Sequence, residues 1–334
     1  MTRYVRIIVL GAVVSLAALY LIISQLRDND IGLIGQALTS ARYEYVAFSA
    51  AIIALGLFAR GARWKALLSD GLPFWRAFSI NNVAYLINGL IPFRAGELAK
   101  AYLATRSEPP VPLFKSASTI IVERLLDLIS ILVITLLAVS QGNLPDELRQ
   151  TALILAPLSI VGFLVLVAMS SQEERVLRVF ARIAKRFPLR IDLVAVLRNF
   201  LDGLKPLTNW RLFAQVAFYD VVSWVCSVLS GYVLMYAFFD QPHWGATLLF
   251  TAMASLAVAV PAVIGNLGTY ELSILLALRA MNYGDPVAVA SAFAVAVHAV
   301  NLLVNASMGV IGFIQEGVSL QQLSQGVREM RPLG

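Results

Sequence analysis

The stretch Asn81–Arg106, NNVAYLINGLIPFRAGELAKAYLATR, places the tightest constraint on what this chain can fold into. It begins as a membrane-like apolar run, yet Asn81, Asn82, Asn88, Gly89 and Pro92 stand where a spanning helix would carry Leu and Val. Pro92 and Gly96 break a helix and expose backbone groups that lipid cannot satisfy. The run is long enough only for a bare crossing, and its flanks are both basic: Arg63, Lys65 and Arg76 before it, Arg94, Lys100 and Arg106 after. The positive-inside rule puts both ends on the cytoplasmic side, so the segment reads as a re-entrant hairpin broken around Asn88, Pro92 and Gly96. Glu97 opens the return half-helix, where the N-terminal dipole favours a carboxylate. A simple cap and a functional role both fit it.

The rest of the composition agrees with a membrane solvent. Of 334 residues, 59% are hydrophobic and 14% charged, and the mean hydropathy is +0.77, outside the range of soluble domains. The single cysteine, Cys226, excludes an internal disulfide and a cysteine-based metal cluster. The net charge of +6 collects in loops assigned to the cytoplasm, which argues against nucleic acid as a partner. No metal site or cofactor is expected. Apolar segments run almost to the end, so any chemistry is expected in or at the membrane.

The chain divides into about six spans and two hairpins. Spans are expected at about residues 4–24, 44–66, 114–139, 151–170, 213–239 and 286–314, with both termini cytoplasmic. The third span carries Glu123, Arg124 and Asp127 at membrane depth, where charges are costly. Glu123 and Asp127 share a face, and Arg124 is placed to pair with Asp127. A structural ion cluster and a functional one are both open. Arg60 and Arg63, one turn apart near the end of the second span, either face the hairpin or form an ordinary basic helix end. Residues 173–211 hold nine Lys or Arg against four Asp or Glu, interleaved with apolar residues at helical spacing. They read as a basic amphipathic segment on the cytoplasmic leaflet, broken at Pro188.

The opening pattern then returns. Residues 246–282 give a small-residue apolar run, a break at PAVIGNLG with Pro261, Gly265 and Gly268, and Glu271 opening a helix too short to cross. The flanks of this second hairpin lack the basic excess, so both ends are expected outside. The sixth span carries His298, Asn301 and Asn305 on one face. Glu97 precedes Glu123 by 26 residues and Glu271 precedes His298 by 27. One domain with inverted-repeat halves at about 44–139 and 213–314 follows, the fourth span and the basic segment linking them. Such repeats, with broken helices meeting near the midplane, are a transporter architecture. Glu97 and Glu271 are expected to act together across the repeat interface.

NGLIPFRAGELAKAYL, VERLLDL of the third span and PAVIGNLGTYE of the second hairpin resemble the flippase-like family of lysylphosphatidylglycerol synthase transmembrane regions, the membrane half of bacterial multiple-peptide-resistance proteins. The resemblance covers nearly the whole chain and carries over Arg94, Gly96, Glu97, Glu123, Arg124, Asp127, Gly268 and Glu271 as motif positions. It implies translocation of a phospholipid or other lipid. The soluble aminoacyl-transferase domain of the full-length synthases is missing, so lysyl transfer is not expected.

The leading expectation is therefore a lipid flippase, not an enzyme, with Arg94, Glu97, Glu123, Arg124, Asp127, Glu271, His298 and Asn301 as substrate-binding or coupling residues. Its partners are expected to be anionic or phosphate-bearing membrane lipids and, for the assembly, a second copy of the chain. The alternatives are an integral membrane enzyme acting on a lipid phosphate and a non-transporting scaffold for envelope-lipid synthesis. With only His243 and His298 and no dense carboxylate cluster beyond Glu123 and Asp127, a hydrolase site is poorly supplied.

Overall fold

The structure, a computed structural model, describes residues 3–24, 26, 30–69, 71–91, 94–140, 146–184, 192–258 and 264–317. Within them every regular element is helical. In chain order the α-helices are α1 (Arg3–Ile23), α2 (Asp30–Thr39), α3 (Tyr43–Leu67), α4 (Phe74–Leu90), α5 (Ala95–Thr105), α6 (Leu113–Val139), α7 (Asp146–Ser171), α8 (Glu173–Ala184), α9 (Leu193–Asp202), α10 (Trp210–Phe238), α11 (Trp244–Ala257), α12 (Thr269–Ala280) and α13 (Val287–Glu316). Among the described residues α3, α10 and α13, of 25, 29 and 30 residues, are long and apolar enough to cross a membrane. At about 1.5 Å per residue each exceeds the roughly 30 Å hydrocarbon core. α1, α6 and α7 have 21, 27 and 26 residues, sufficient in length, although α6 carries Glu123, Arg124 and Asp127. The chain is an all-α polytopic membrane protein.

Two short-helix pairs interrupt these long helices. α4 and α5 have 17 and 11 residues and pack on each other, as do α11 and α12 with 14 and 12. None of the four reaches the roughly 20 residues that a crossing needs. The first hairpin starts at Phe74, earlier than the apolar run at Asn81 indicates. Phe74, Trp75 and Phe78 close on Phe58 of α3, with ring centroids 6.4, 6.1 and 4.5 Å apart, and this aromatic packing anchors the added turns. The breaks fall after Leu90 and after Ala257; Pro92 and Pro261 lie outside the described residues, as does Pro188.

Helix packing follows a two-fold rule. Exchanging α2–α6 for α9–α13, in order, maps each pairing onto another that is present: α4 on α13 becomes α11 on α6, α2 on α13 becomes α9 on α6, and α5 on α6 becomes α12 on α13. α3 and α10, which exchange with each other, form the most extensive helix pair. They run antiparallel. Arg42 at the start of α3 donates from its backbone N–H to Ala237 (3.2 Å) and from its guanidinium to Phe239 (3.0 Å) at the end of α10, while Arg63 near the end of α3 meets Asp220 in the first half of α10. Equivalent helices pointing in opposite directions make the repeat an inverted one.

Sequence patterning gave no helix for residues 30–39. Ten residues are too short for a span, yet α2 packs along α13 just as α9 packs along α6, so each half starts with a short helix before its long one. The basic segment forms α8, α9 and a tight 3₁₀ turn at Lys205–Leu207. Asp192 caps α9 by accepting from the N–H groups of Val194 and Ala195, both at 3.0 Å. α8 turns Val176 and Leu177 to the apolar cluster around Leu201 and Leu204 and exposes Arg175, Arg178 and Arg182.

The interior is built in pieces that match the repeat. One apolar cluster joins Trp64, Leu68, Ile80, Ile87 and Leu103 around the first hairpin, and another joins Phe250, Ile274, Leu278 and Phe293 around the second. Lipid is as apolar as these side chains, so close packing and polar contacts, not water exclusion, hold such helices together. Leu136, Leu164, Leu303 and Ile314 remain exposed, as suits a surface facing acyl chains.

The inversion has a direct test. With Cys226 replaced by Ala, Glu108→Cys between α5 and α6 and Asp240→Cys between α10 and α11, both at exposed positions, are expected to react with an impermeant thiol reagent from opposite faces of the membrane. Labelling from one face would contradict the inverted arrangement.

Candidate functional site

Arg63 is the centre of the polar interior. Its side chain is 1% exposed and reaches three carboxylates: Asp127 at 2.8 Å, Glu123 at 3.5 Å, and Asp220 through a short hydrogen bond. Three helices, α3, α6 and α10, are thereby tied to one guanidinium. Ser130 donates to the second oxygen of Asp220 at 2.7 Å. From the first hairpin Lys100 reaches Glu123 at 2.5 Å and lies 4.3 Å from the centre of the Trp64 ring. Trp64 in turn donates its indole N–H to Thr119 at 3.1 Å. A charge at this depth survives only with such partners.

The network continues to a more open edge. Arg124 pairs with Asp127 at 3.1 Å and approaches Glu97 at 3.4 Å, and Arg94 holds Glu97 at 3.3 Å. Side-chain exposure divides the set: 1–7% for Arg63, Glu123, Lys100 and Asp220, against 35% for Arg124, 34% for Arg94, 26% for Glu97 and 19% for Asp127. The first group is a buried lock. The second is partly exposed at the edge of the first hairpin.

The hairpin break itself is built from Asn88 and Gly96. Asn88 Oδ1 accepts the Gly96 N–H at 2.8 Å, so Asn88, not Glu97, caps α5, and the carboxylate of Glu97 is spent on the two arginines instead. A short amide one helix away reaches a free N–H without leaving the turn, whereas Glu97 points outward to opposite charge. Any Cβ at Gly96 would overlap the Ala84 carbonyl oxygen and lie 2.7 Å from Asn88 Oδ1, so only glycine allows α4 and α5 to come this close.

In the second half, Glu271 does cap its helix. Its Oε2 accepts the Gly268 N–H at 2.7 Å, and Gly268 holds φ +85°, a conformation that disfavours any side chain. The other oxygen, Oε1, receives the Nδ1–H of His298 at 2.6 Å, and the Tyr270 ring stacks on that imidazole at 4.4 Å. Asn301 and Asn305 donate back to carbonyls one turn earlier in α13, those of Val297 and Asn301, at 2.9 and 2.8 Å. Gly265, with φ +69°, sits at the break where it approaches the Gly89 carbonyl of the first hairpin, so the two hairpin tips meet. The carboxylates themselves do not pair: among the described residues Glu97 and Glu271 share no hydrogen bond or ion pair, and each is satisfied within its own half.

Sequence reasoning named Arg94, Glu97, Glu123, Arg124, Asp127, Glu271 and His298 as candidates and placed Arg124 to pair with Asp127, but it did not foresee the contact of Glu97 with Arg124 or of Glu271 with His298. It left Arg63 between facing the hairpin and an ordinary helix end, took Lys100 as a topology signal, and did not single out Asp220. The signal was the number of acids in spans without a cation to neutralise them. Among the described residues no group of three or more His, Cys, Asp or Glu is placed to hold a metal.

A helical membrane protein with two broken hairpins meeting inside an inverted repeat, and with an ion network at membrane depth, defines the class. Within that class the chain belongs to the family described as the lysylphosphatidylglycerol synthase TM region, whose model matches residues 8–309. It is similar to a "UPF0104 membrane protein" of Methanothermobacter thermautotrophicus, 26% identical over 241 residues, which are 67% of this chain and 70% of the relative. It is also similar to "Glycosyltransferase AglD" of Haloferax volcanii, 25% identical over an alignment of 369 residues that takes in 99% of this chain but only 57% of the relative. No solved structure matches it significantly.

The division between lock and edge predicts unequal costs. Glu123→Gln and Asp220→Asn each leave a buried cation short of its partner, and are expected to lower stability in detergent by about 3–5 kcal/mol. Glu97→Gln, at the open edge, is expected to cost about 1 kcal/mol or less. Thermal unfolding of the purified variants measures both, and equal losses would erase the distinction.

Proposed function

We propose that this protein moves a lipid carrying an anionic or phosphate-bearing headgroup across the bacterial inner membrane, with both termini cytoplasmic. The observation that carries the reading is the meeting of two hairpin breaks inside an inverted repeat, with half-exposed charges beside one of them. An inverted repeat offers two equivalent packings of its halves, so a central site is able to open to either face. The family's name points to a membrane lipid, and the Haloferax relative's name to glycosyl transfer.

The surroundings of the edge suit an amphiphile. Leu90, Ile91 and Leu98 are 44–49% exposed next to Arg94 and Glu97, and Leu267 is 48% exposed next to Gly268. Partly exposed charges and exposed apolar residues lie side by side at the first break, so a headgroup is able to approach while its chains stay in the bilayer. Arg94 and Arg124 supply donors for a headgroup anion. Glu97 and Asp127 hold those arginines in place and exchange partners when the anion arrives. Glu271 and His298 form the corresponding polar pair of the other half and change contacts as α12 and α13 shift. This motion needs no covalent step.

The name of the Haloferax relative favours a second reading, glycosyl or phosphate transfer at the membrane. A large part of that protein lies outside the shared region, so its named activity has no necessary seat in this chain.

Vesicle reconstitution decides between these. The protein is expected to accelerate transbilayer movement of a labelled phospholipid over empty vesicles without altering the lipid chemically. Glu97→Gln and Glu271→Gln are expected to slow that movement at least tenfold while folded yield is kept. Chemical turnover would favour the enzyme, and the absence of both activities would overturn transport.

A further inference from the structure

Arg60 lies one turn before Arg63 on α3, seven residues before the end of that helix, or about 10 Å along its axis. Unlike Arg63 it is only half-buried, and among the described residues it makes no ion pair. One Nη donates to Ser227 Oγ of α10 at 3.2 Å, and the guanidinium lies 5.6 Å from the centre of the Tyr85 ring of α4. Ser227 passes its own proton to the Ser223 carbonyl at 3.0 Å, so it serves Arg60 only as an acceptor. The remaining N–H groups of Arg60 have no acceptor among the described residues.

Charge counting makes this position unusual. Glu97, Glu123, Asp127 and Asp220 are matched by Arg63, Arg94, Lys100 and Arg124, and Glu271 is taken up by His298 and the Gly268 N–H. Arg60 is left over. It lies against the first hairpin through Tyr85 of α4 and against the second half through Ser227 of α10. A cation at that depth is costly unless an anion joins it. Among the described residues no carboxylate pairs with it, and the Tyr85 face and Ser227 hydroxyl fix its orientation without using up its donor fork.

We infer that Arg60 is the contact for the phosphate group of the ligand, at the point where the first hairpin, through Tyr85, comes against α10. Guanidinium offers paired N–H donors that match phosphate oxygens, and its charge is compensated only while the phosphate is there. The inference rests on the transport reading for its physiological meaning, but the binding contact stands or falls independently. Removing Arg60 does not break the buried lock, because none of the lock's ion pairs uses it.

The test uses the full-length protein in two measurements. In detergent, native mass spectrometry counts bound phosphatidylglycerol, bound diacylglycerol as the phosphate-free control, and displacement of either by inorganic phosphate. Wild type is expected to prefer phosphatidylglycerol, Arg60→Gln to lose at least tenfold of that preference, and Arg60→Lys, which keeps charge but not the fork, to fall between. Displacement by millimolar inorganic phosphate would assign the site to the free anion, and its failure to displace would assign it to the lipid; both retain Arg60 as the phosphate contact. Equal phosphatidylglycerol binding by wild type and Arg60→Gln overturns the inference. If Arg60→Gln unfolds, Ser227→Ala and Tyr85→Leu, which release the guanidinium without removing it, are measured instead, and unchanged preference in both overturns it as well. In vesicles, Arg60→Gln is expected to slow phospholipid movement at least tenfold. Wild-type movement in that variant sinks the inference and leaves transport standing, whereas a wild type that moves no lipid but binds phosphatidylglycerol through Arg60 sinks transport and leaves the contact standing.

Discussion

The interaction on which the rest of this structure depends is that of one guanidinium with three carboxylates in a bilayer-spanning bundle. Each ion alone costs several kcal/mol at that depth, so Arg63, Glu123, Asp127 and Asp220 are stable there only together. Their meeting fixes the relative height and rotation of α3, α6 and α10. Apolar packing would not do so, because Leu and Val slide past one another in lipid at little cost. Lys100 extends the constraint to α5 and pins the return half of the first hairpin to the same point. A hairpin with no crossing of its own needs such a pin.

The second half obtains its order differently. Glu271 caps α12 and binds His298 of α13, and Phe250, Ile274 and Phe293 form an apolar cluster around the second hairpin. The helices exchange under the two-fold rule, but their contents do not. Packing geometry and polar chemistry have therefore separated: the shape of the repeat is kept by small residues and helix lengths, and the ion network belongs to one half and to α10.

Much of this was legible in the sequence. Apolar run lengths located the long helices to within a few residues, and Pro, Gly and Asn in runs that should have been Leu and Val marked both hairpins. The acids at 123, 127 and 271 were visible because a charge in a span has few innocent explanations. The basic partners were harder to see. Lys and Arg near membrane ends ordinarily report topology, so Arg63 and Lys100 gave the same signal as residues that simply face the cytoplasm; only packing shows that both are buried. Whether Glu97 caps its helix was left open for a related reason. Position on a helix suggests which groups lie near, but Asn88, eight residues earlier across the break, reaches the free amide first. α2 escaped because a ten-residue apolar stretch between two spans looks like a loop until α13 is there to cover it.

The asymmetry between the halves bears on how a repeat of this kind would work under the proposed transport reading. Two identical halves would make the inward-open and outward-open packings equal in energy, and nothing in the protein would favour either. Here α3, α5, α6 and α10 are joined through buried ions, so they move as one body or pay for a separated charge. α12 and α13 are joined to each other by the Glu271–His298 contact and by shared apolar packing, and α13 lies along α4 of the first hairpin, where Arg76 pairs with Glu316 at 3.1 Å. Where the hairpin tips meet, at Gly265 and Gly89, the described residues place no ion pair, so the packing there is the least constrained by charge. Arg60, on α3 with its guanidinium against Tyr85 of the first hairpin and Ser227 of α10, touches helices of both halves, so an anion held by it would be felt by both at once.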